Sequence, residues 1–197
     1  GQPLYPRFRF FKDVVKTFER TNAAVPVFQD KHFAMDWREA QETYRDAQRL
    51  SFPLMAGSSL PVTWRIPAIE VPLGTPLVES VAVGYGHHGY YDIHTIETAQ
   101  CMSERRAGGE AGVKSVQAFK NEAVWKLLGE RESTRRLCLA ALNRSQTLKA
   151  LPGRTFAEPT VEHLQRVSPF AVAYVFEHLD GFRTTIFHFN GTGTVFS

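Results

Sequence analysis

The sequence predicts two structural classes in series: an α/β fragment with parallel strands over residues 1 to 64, then an α+β domain with a mostly antiparallel open sheet over residues 65 to 197. Three observations lead there. Short apolar runs alternate with helix-period segments in the first part. Pro67, Pro72 and Pro76 then interrupt the pattern, and the chain closes on two strand-like runs around Asp180-Gly181, a strong two-residue turn signal. With 43% apolar and 12% aromatic residues, 197 positions suffice to bury a full core, as one domain or as parts of two.

In order, YPRFRFFKDVVKTFERTN sets Phe11, Val14, Val15 and Phe18 at helical spacing and ends where Asn22 precedes a β run. That run is VPVF at 25 to 28, and Gln29-Asp30-Lys31-His32 is a polar exit of the kind found at the carboxyl edge of a sheet. Asp36 is expected to cap the next helix, with Glu39 three residues on as in a capping box. Trp37, Ala40, Tyr44 and Ala47 would share one face, the apolar stripe of an amphipathic helix, and its end is expected near Leu50. FPLMAG at 52 to 57 reads as a short buried strand, broken by GSSLP. The second region starts with strand LVESVAV at 77 to 83. A helix from Asp92 to about Arg105, strand GVKSVQAFK at 112 to 120 and one or two amphipathic helices over 121 to 143 follow. Residues 145 to 160 have no periodicity and read as a mobile loop, and FAVAYVFEHL with FRTTIFHFN form the closing hairpin.

Composition removes several function classes. No apolar run approaches the roughly 20 residues of a spanning helix, so no membrane partner is expected. Cys101 and Cys138 lack metal-type spacing, which argues for no metal site and for a reduced, cytoplasmic setting. Because the chain begins at Gly1, a missing leader peptide decides nothing. The net charge is +3, but its cations are scattered pairs such as Arg105-Arg106 and Arg135-Arg136. Without a basic stripe, no nucleic-acid partner is expected.

Residues 84 to 89, GYGHHG, match the G-x-G-x-x-G of a dinucleotide-binding turn. The surrounding order also fits, with a strand before, a helix and strand after, and Glu122 beyond. Physical objections outweigh the match. His87, His88, Tyr90 and Tyr91 crowd the space a pyrophosphate needs, Asp92 puts a carboxylate where the anion would sit, and an antiparallel hairpin follows instead of further βα units. What remains is a dense cluster at a strand-to-helix junction: His87, His88, Tyr90, Tyr91, Asp92, His94 and Glu97. His94 and Glu97 fall on one helix face and could share a proton or hold a metal, acid/base work being the stronger expectation. The plainer alternative is that Asp92 caps the helix while the histidine and tyrosines pack locally.

The order of pieces resembles the NAD(P)-dependent glucose-fructose oxidoreductase / inositol dehydrogenase / MocA family. That family's Rossmann strand ends in Glu-Lys-Pro, to which Asp30-Lys31-His32 is similar in its lysine. MAGSSLPVTWRIP resembles the strand leading to the family's Arg-x-x-Pro-like segment through Arg65 and Pro67, and IEVPLGTPLVESVAV resembles the crossing into the substrate domain. GYYDIHTIE is similar to the start of the family's catalytic helix through His94 and Glu97, although Asp92 stands two residues before the histidine where the family's acid stands four before. GVKSVQAF and DGFRTTIFHFNG are similar to later strands of the family's open sheet. The likeness spans roughly residues 5 to 190 and rests on order more than on any one motif.

The resemblance implies a sugar or polyol oxidoreductase using NAD(P), with a carbohydrate-type substrate at residues 84 to 97. In this reading Lys31 steadies substrate hydroxyls, His94 takes the hydroxyl proton, and Asp92 or Glu97 tunes that histidine. Arg65, His87, Tyr90 and Tyr91 are the expected substrate contacts. The family's cofactor fingerprint lies well ahead of its lysine motif, and only thirty residues precede Lys31. The chain is therefore expected to be the end of a Rossmann-like domain joined to a substrate domain, or a divergent form without the conventional cofactor site.

Two other readings stand beside it. His88-Gly89, two residues and Asp92 resemble part of the Gly-Gly-His-Gly-Gly motif of NAD-dependent α-N-acetylgalactosaminidases, which implies glycoside cleavage with His88 as acid or base. The third reading is non-catalytic: the open sheet face would be buried in a homo-oligomer.

Overall fold

The computed structural model describes residues 5–86, 89–145, 159–168 and 170–190. The chain divides into two compact units, Gly1–Ser59 and Leu60–Ser197.

In the first unit, α1 (Arg7–Thr21) ends at Asn22, whose left-handed backbone lets its N–H reach the Phe18 carbonyl. Strand β1 (Val27–Asp30) pairs in parallel with β2 (Leu54–Gly57), and α2 (Trp37–Arg49) connects them. β1 starts two residues later than the sequence suggests because Pro26 has no N–H to give. Pairing begins where the Val27 N–H meets the Pro53 carbonyl at 2.9 Å. Asp36 caps α2 by accepting the Glu39 N–H at 2.9 Å, and the Glu39 carboxylate returns to the Met35 N–H at 3.2 Å.

The inner face of α2 differs from the expected one. Thr43, Asp46 and Ala47 are buried, whereas Trp37 and Tyr44 are 76% and 58% exposed. The cause is electrostatic: Lys12 of α1 reaches Asp46 at 2.5 Å and Arg49 reaches it at 2.8 Å, so the helix turns its carboxylate inward. Phe11, Val15, Ala47 and Phe52 make the core of this unit, with the Phe18 ring edge-on to Phe52. The expectation of a buried second strand also fails. α1 and α2 cover the side bearing Val27 and Leu54, while Phe28 and Met55, partners in register, point away and are 61% and 57% exposed.

The second unit opens with a 3-10 turn, Leu60–Val62, and has β3 (Glu79–Gly84), α3 (Asp92–Ser103), β4 (Val113–Lys120), α4 (Glu122–Glu130), α5 (Glu132–Asn143), α6 (Val161–Val167), β5 (Phe170–His178) and β6 (Arg183–Asn190). The sheet order is β3-β6-β5-β4, with β3 parallel to β6 and the other pairs antiparallel. Strand periodicity distributes the side chains. Val83, Ala173, Phe187 and Phe189 face α4 and α5, whose Val124, Leu128 and Cys138 are buried against them. Ala82, Tyr174 and Ile186 face α3, packing with Ile96 and Ala99. The fold is thus mixed α/β, a small parallel sheet followed by a mostly antiparallel one.

Two details depart from expectation. The hairpin loop has three residues rather than two, because His178 pairs with Phe182 and Gly181 takes φ +82°. Asp180 holds that loop by accepting the Phe182 N–H and pairing with buried Arg106, whose guanidinium lies over the Phe182 ring. α6 has no counterpart in the sequence reading; Thr160 caps it by accepting the His163 N–H at 3.1 Å. The loop expected over 145 to 160 lies mostly outside the described residues.

Candidate functional site

The junction between β3 and α3 is built by close approach. A Cβ on Gly84 would fall 2.1 Å from Thr95 Oγ1 and 2.8 Å from His188 Cε1, so only glycine lets α3 and β6 come this near the strand. Gly86 follows at φ +90°, with the Tyr91 ring packed where its side chain would be. Tyr91 stacks on Tyr85 at 5.8 Å and lies 6.2 Å from the His94 ring.

Asp92 is the first residue of α3 and its carboxylate is 15% exposed. Oδ2 accepts the Gly89 N–H at 2.9 Å and the Tyr174 hydroxyl at 2.6 Å, while Oδ1 faces His188 Nε2 at 3.8 Å. An anion here also meets the positive end of the α3 dipole. Burial first, and then the bond to Asp92, push the Tyr174 hydroxyl well above the ordinary tyrosine range. His188 is 2% exposed, and its ring packs against Gly84.

His94 and Glu97, one turn apart on α3, are half-buried, and Tyr90 and Tyr91 are 37% and 40% exposed. The structure therefore gathers Tyr90, Tyr91, Asp92, His94 and Glu97 in one neighbourhood. His87 and His88 lie outside the described residues, and with them the glycosidase motif. Arg65 meets α3 one turn past Glu97: it donates to the Cys101 sulfur at 3.8 Å, pairs with Glu70 at 3.2 Å and donates to the Pro61 carbonyl. Burial pushes the Cys101 thiol up, against the opposing pull of that guanidinium. Lys31 belongs to the first unit, just past β1, and its peptide bond to His32 is cis. Sequence reasoning missed Tyr174 and His188. The available signal was His188 itself, a lone imidazole on the alternation that also carries Thr184 and Ile186.

The described part of the Gly84–Gly89 turn does not fit a dinucleotide pyrophosphate. The Gly89 N–H is already given to Asp92, that carboxylate would repel a phosphate, and the Tyr91 ring fills the space over Gly86. Among the described residues no three His, Cys, Asp or Glu side chains converge as a metal site, and no helix is long and apolar enough to cross a membrane.

No protein-family model matches the chain, and no curated protein does. Among solved structures it is similar to the UDP-N-acetylglucosamine 3-dehydrogenase of Acidithiobacillus ferrooxidans, at 12% identity over 99% of this chain and 49% of that one, with a TM-score of 0.46. An NAD binding oxidoreductase from Klebsiella pneumoniae matches at 12% identity over 95% of this chain and 45% of that one, also at 0.46. An oxidoreductase from Agrobacterium radiobacter, solved with NAD+, L-tartaric acid and magnesium, matches at 11% over 91% and 45%, at 0.40. The chain spans less than half the length of each of these proteins.

Proposed function

We propose that the chain is part of an oxidoreductase acting on a hydroxyl of a sugar or polyol, with the substrate held at the start of α3. The supporting observation is that the short stretch from Tyr90 to Glu97 sets two partly exposed tyrosines beside a half-buried imidazole and a half-buried carboxylate one turn apart on α3. In this reading the His94 imidazole accepts the hydroxyl proton, Glu97 orients the ring from the next turn, and Tyr90 and Tyr91 cover the sugar face. A nicotinamide cofactor, implied by the family resemblance, would accept the hydride, with its pyrophosphate held away from the described part of the Gly84–Gly89 turn. Lys31 enters this reading through the resemblance alone.

The test is a titration of the chain with a panel of aldoses, polyols and sugar acids, following the histidine ring signals by NMR, paired with NAD(H) and NADP(H) calorimetry. Saturable movement of the His94 signals by at least one of the sugars is expected, and silence across the whole panel overturns the reading. A second reading, an oligomerising domain, draws support from Val116 on β4 and Phe170 on β5, which lie on the same sheet face and are 54% and 59% exposed. Sedimentation velocity on Val116→Asp checks it: a dimer that becomes a monomer supports it, and a native monomer removes it.

A further inference from the structure

We infer that Tyr174 and His188 are positioning residues that act through Asp92, the three forming a buried clamp that sets the turn leaving β3 and so presents Tyr91 and His94. The inference deepens the reading of His94 as the base and rests on it for its functional meaning.

The geometry argues against Asp92 as a group that touches substrate. Its Oδ2 takes two donors at once, from Gly89 in the turn and from Tyr174 on β5, and its Oδ1 is turned toward a ring on β6. One carboxylate thus bonds the turn to β5, far away in sequence, while its other oxygen faces the buried His188 ring of β6 at 3.8 Å, a contact that becomes an ion pair when that ring is protonated. Asparagine has the shape but not the chemistry. Its carbonyl oxygen, standing where Oδ2 stands, still accepts from Gly89 and Tyr174, but the negative charge that strengthens both bonds and faces the His188 ring is gone.

The clamp is also fitted to its place. His188 sits against Gly84, where any side chain would collide with it, and Tyr174 packs among Ala82, Ala99 and Ile186. Neither can follow the turn if it moves, so the turn must come to them. From Asp92 the constraint passes along the first turn of α3 to Tyr91, whose ring lies on Gly86 and against Tyr85, and to His94, whose N–H bonds the Tyr91 carbonyl at 3.0 Å. Loss of the clamp therefore changes where the imidazole is held, although neither Tyr174 nor His188 need ever meet a ligand.

The experiment uses the whole chain and no ligand. Tyr174→Phe removes one hydroxyl and keeps the packing. It is expected to speed Gly89 amide hydrogen exchange roughly fivefold or more, the effect of one lost hydrogen bond, and to displace the His94 ring signals while the melting profile stays cooperative. A spectroscopic alkaline titration adds a readout that packing alone would not move. One tyrosine of the native protein titrates above the rest, vanishes in Tyr174→Phe, and drops toward the others in Asp92→Asn. If Tyr174→Phe leaves Gly89 exchange and the His94 signals as they were, the clamp is wrong, whatever Asp92→Asn does to folding. Because these signals are read without sugar, a failed sugar titration alongside a positive clamp result would remove the proposed function and leave the clamp standing.

Discussion

At the scale of single residues, Asp46 and Tyr174 each add a pH dependence to stability, and the signs follow from their surroundings. Burial pushes the Asp46 carboxyl up, but hydrogen bonds from Lys12 and Arg49 outweigh it and leave the group below its usual 3.8. A depressed folded value contributes stability that is complete above the unfolded value and is lost as pH falls through the folded one. Tyr174 is the opposite case, since its hydroxyl stays neutral in the folded state beyond the ordinary value of 10.0. Its contribution is complete below that value and fades as pH rises past it, when only the unfolded chain ionises. Melting temperatures measured across pH should therefore drop at both ends. Asp46→Asn should flatten the acid limb and Tyr174→Phe the alkaline limb, and an unchanged limb in either variant contradicts the assignment.

At the scale of elements, the capping and close-approach positions carry the sharpest expectations. Asp36→Ala removes the acceptor for the Glu39 N–H and should cost about 1 kcal/mol by denaturant unfolding. Gly84→Ala should cost about 1–3 kcal/mol, because the added methyl meets the Thr95 hydroxyl and the His188 ring at once, and both side chains are buried with little room to move. A variant as stable as the parent would mean that α3 and β6 are farther from β3 than described.

The elements also show which features the sequence made visible. Local signals were readable: the Asp36–Glu39 box, the strand-like runs of β5 and β6, and the break at Asp180-Gly181. The inner face of α2 was not, because apolar spacing pointed to Trp37 and Tyr44 while a long-range ion pair with Lys12 decided the rotation. The candidate site was readable where it is local, from Tyr90 to Glu97. Tyr174 is 82 positions from Asp92, and only the strand register brings the two together.

At the scale of the whole molecule, the apolar cores fall into the two units. Phe11, Val15, Ala47 and Phe52 belong to the first, and the clusters around Leu128 and Ile186 belong to the second. Cores that share no buried residue need not melt together. Calorimetry should resolve two transitions. Leu128→Ala, at about 3 kcal/mol, should lower one of them and Asp46→Asn the other; a single transition shifted by both would show the units to be cooperative.

The bare side of the two-stranded sheet gives the molecule a chemical reporter. The Met55 thioether stands in water beside Phe28, a setting in which peroxide converts methionine readily to its sulfoxide. Mass spectrometry after a brief peroxide pulse would then read that face directly, with the Met55 peptide gaining one oxygen when the sheet is bare and resisting oxidation whenever another surface lies against it.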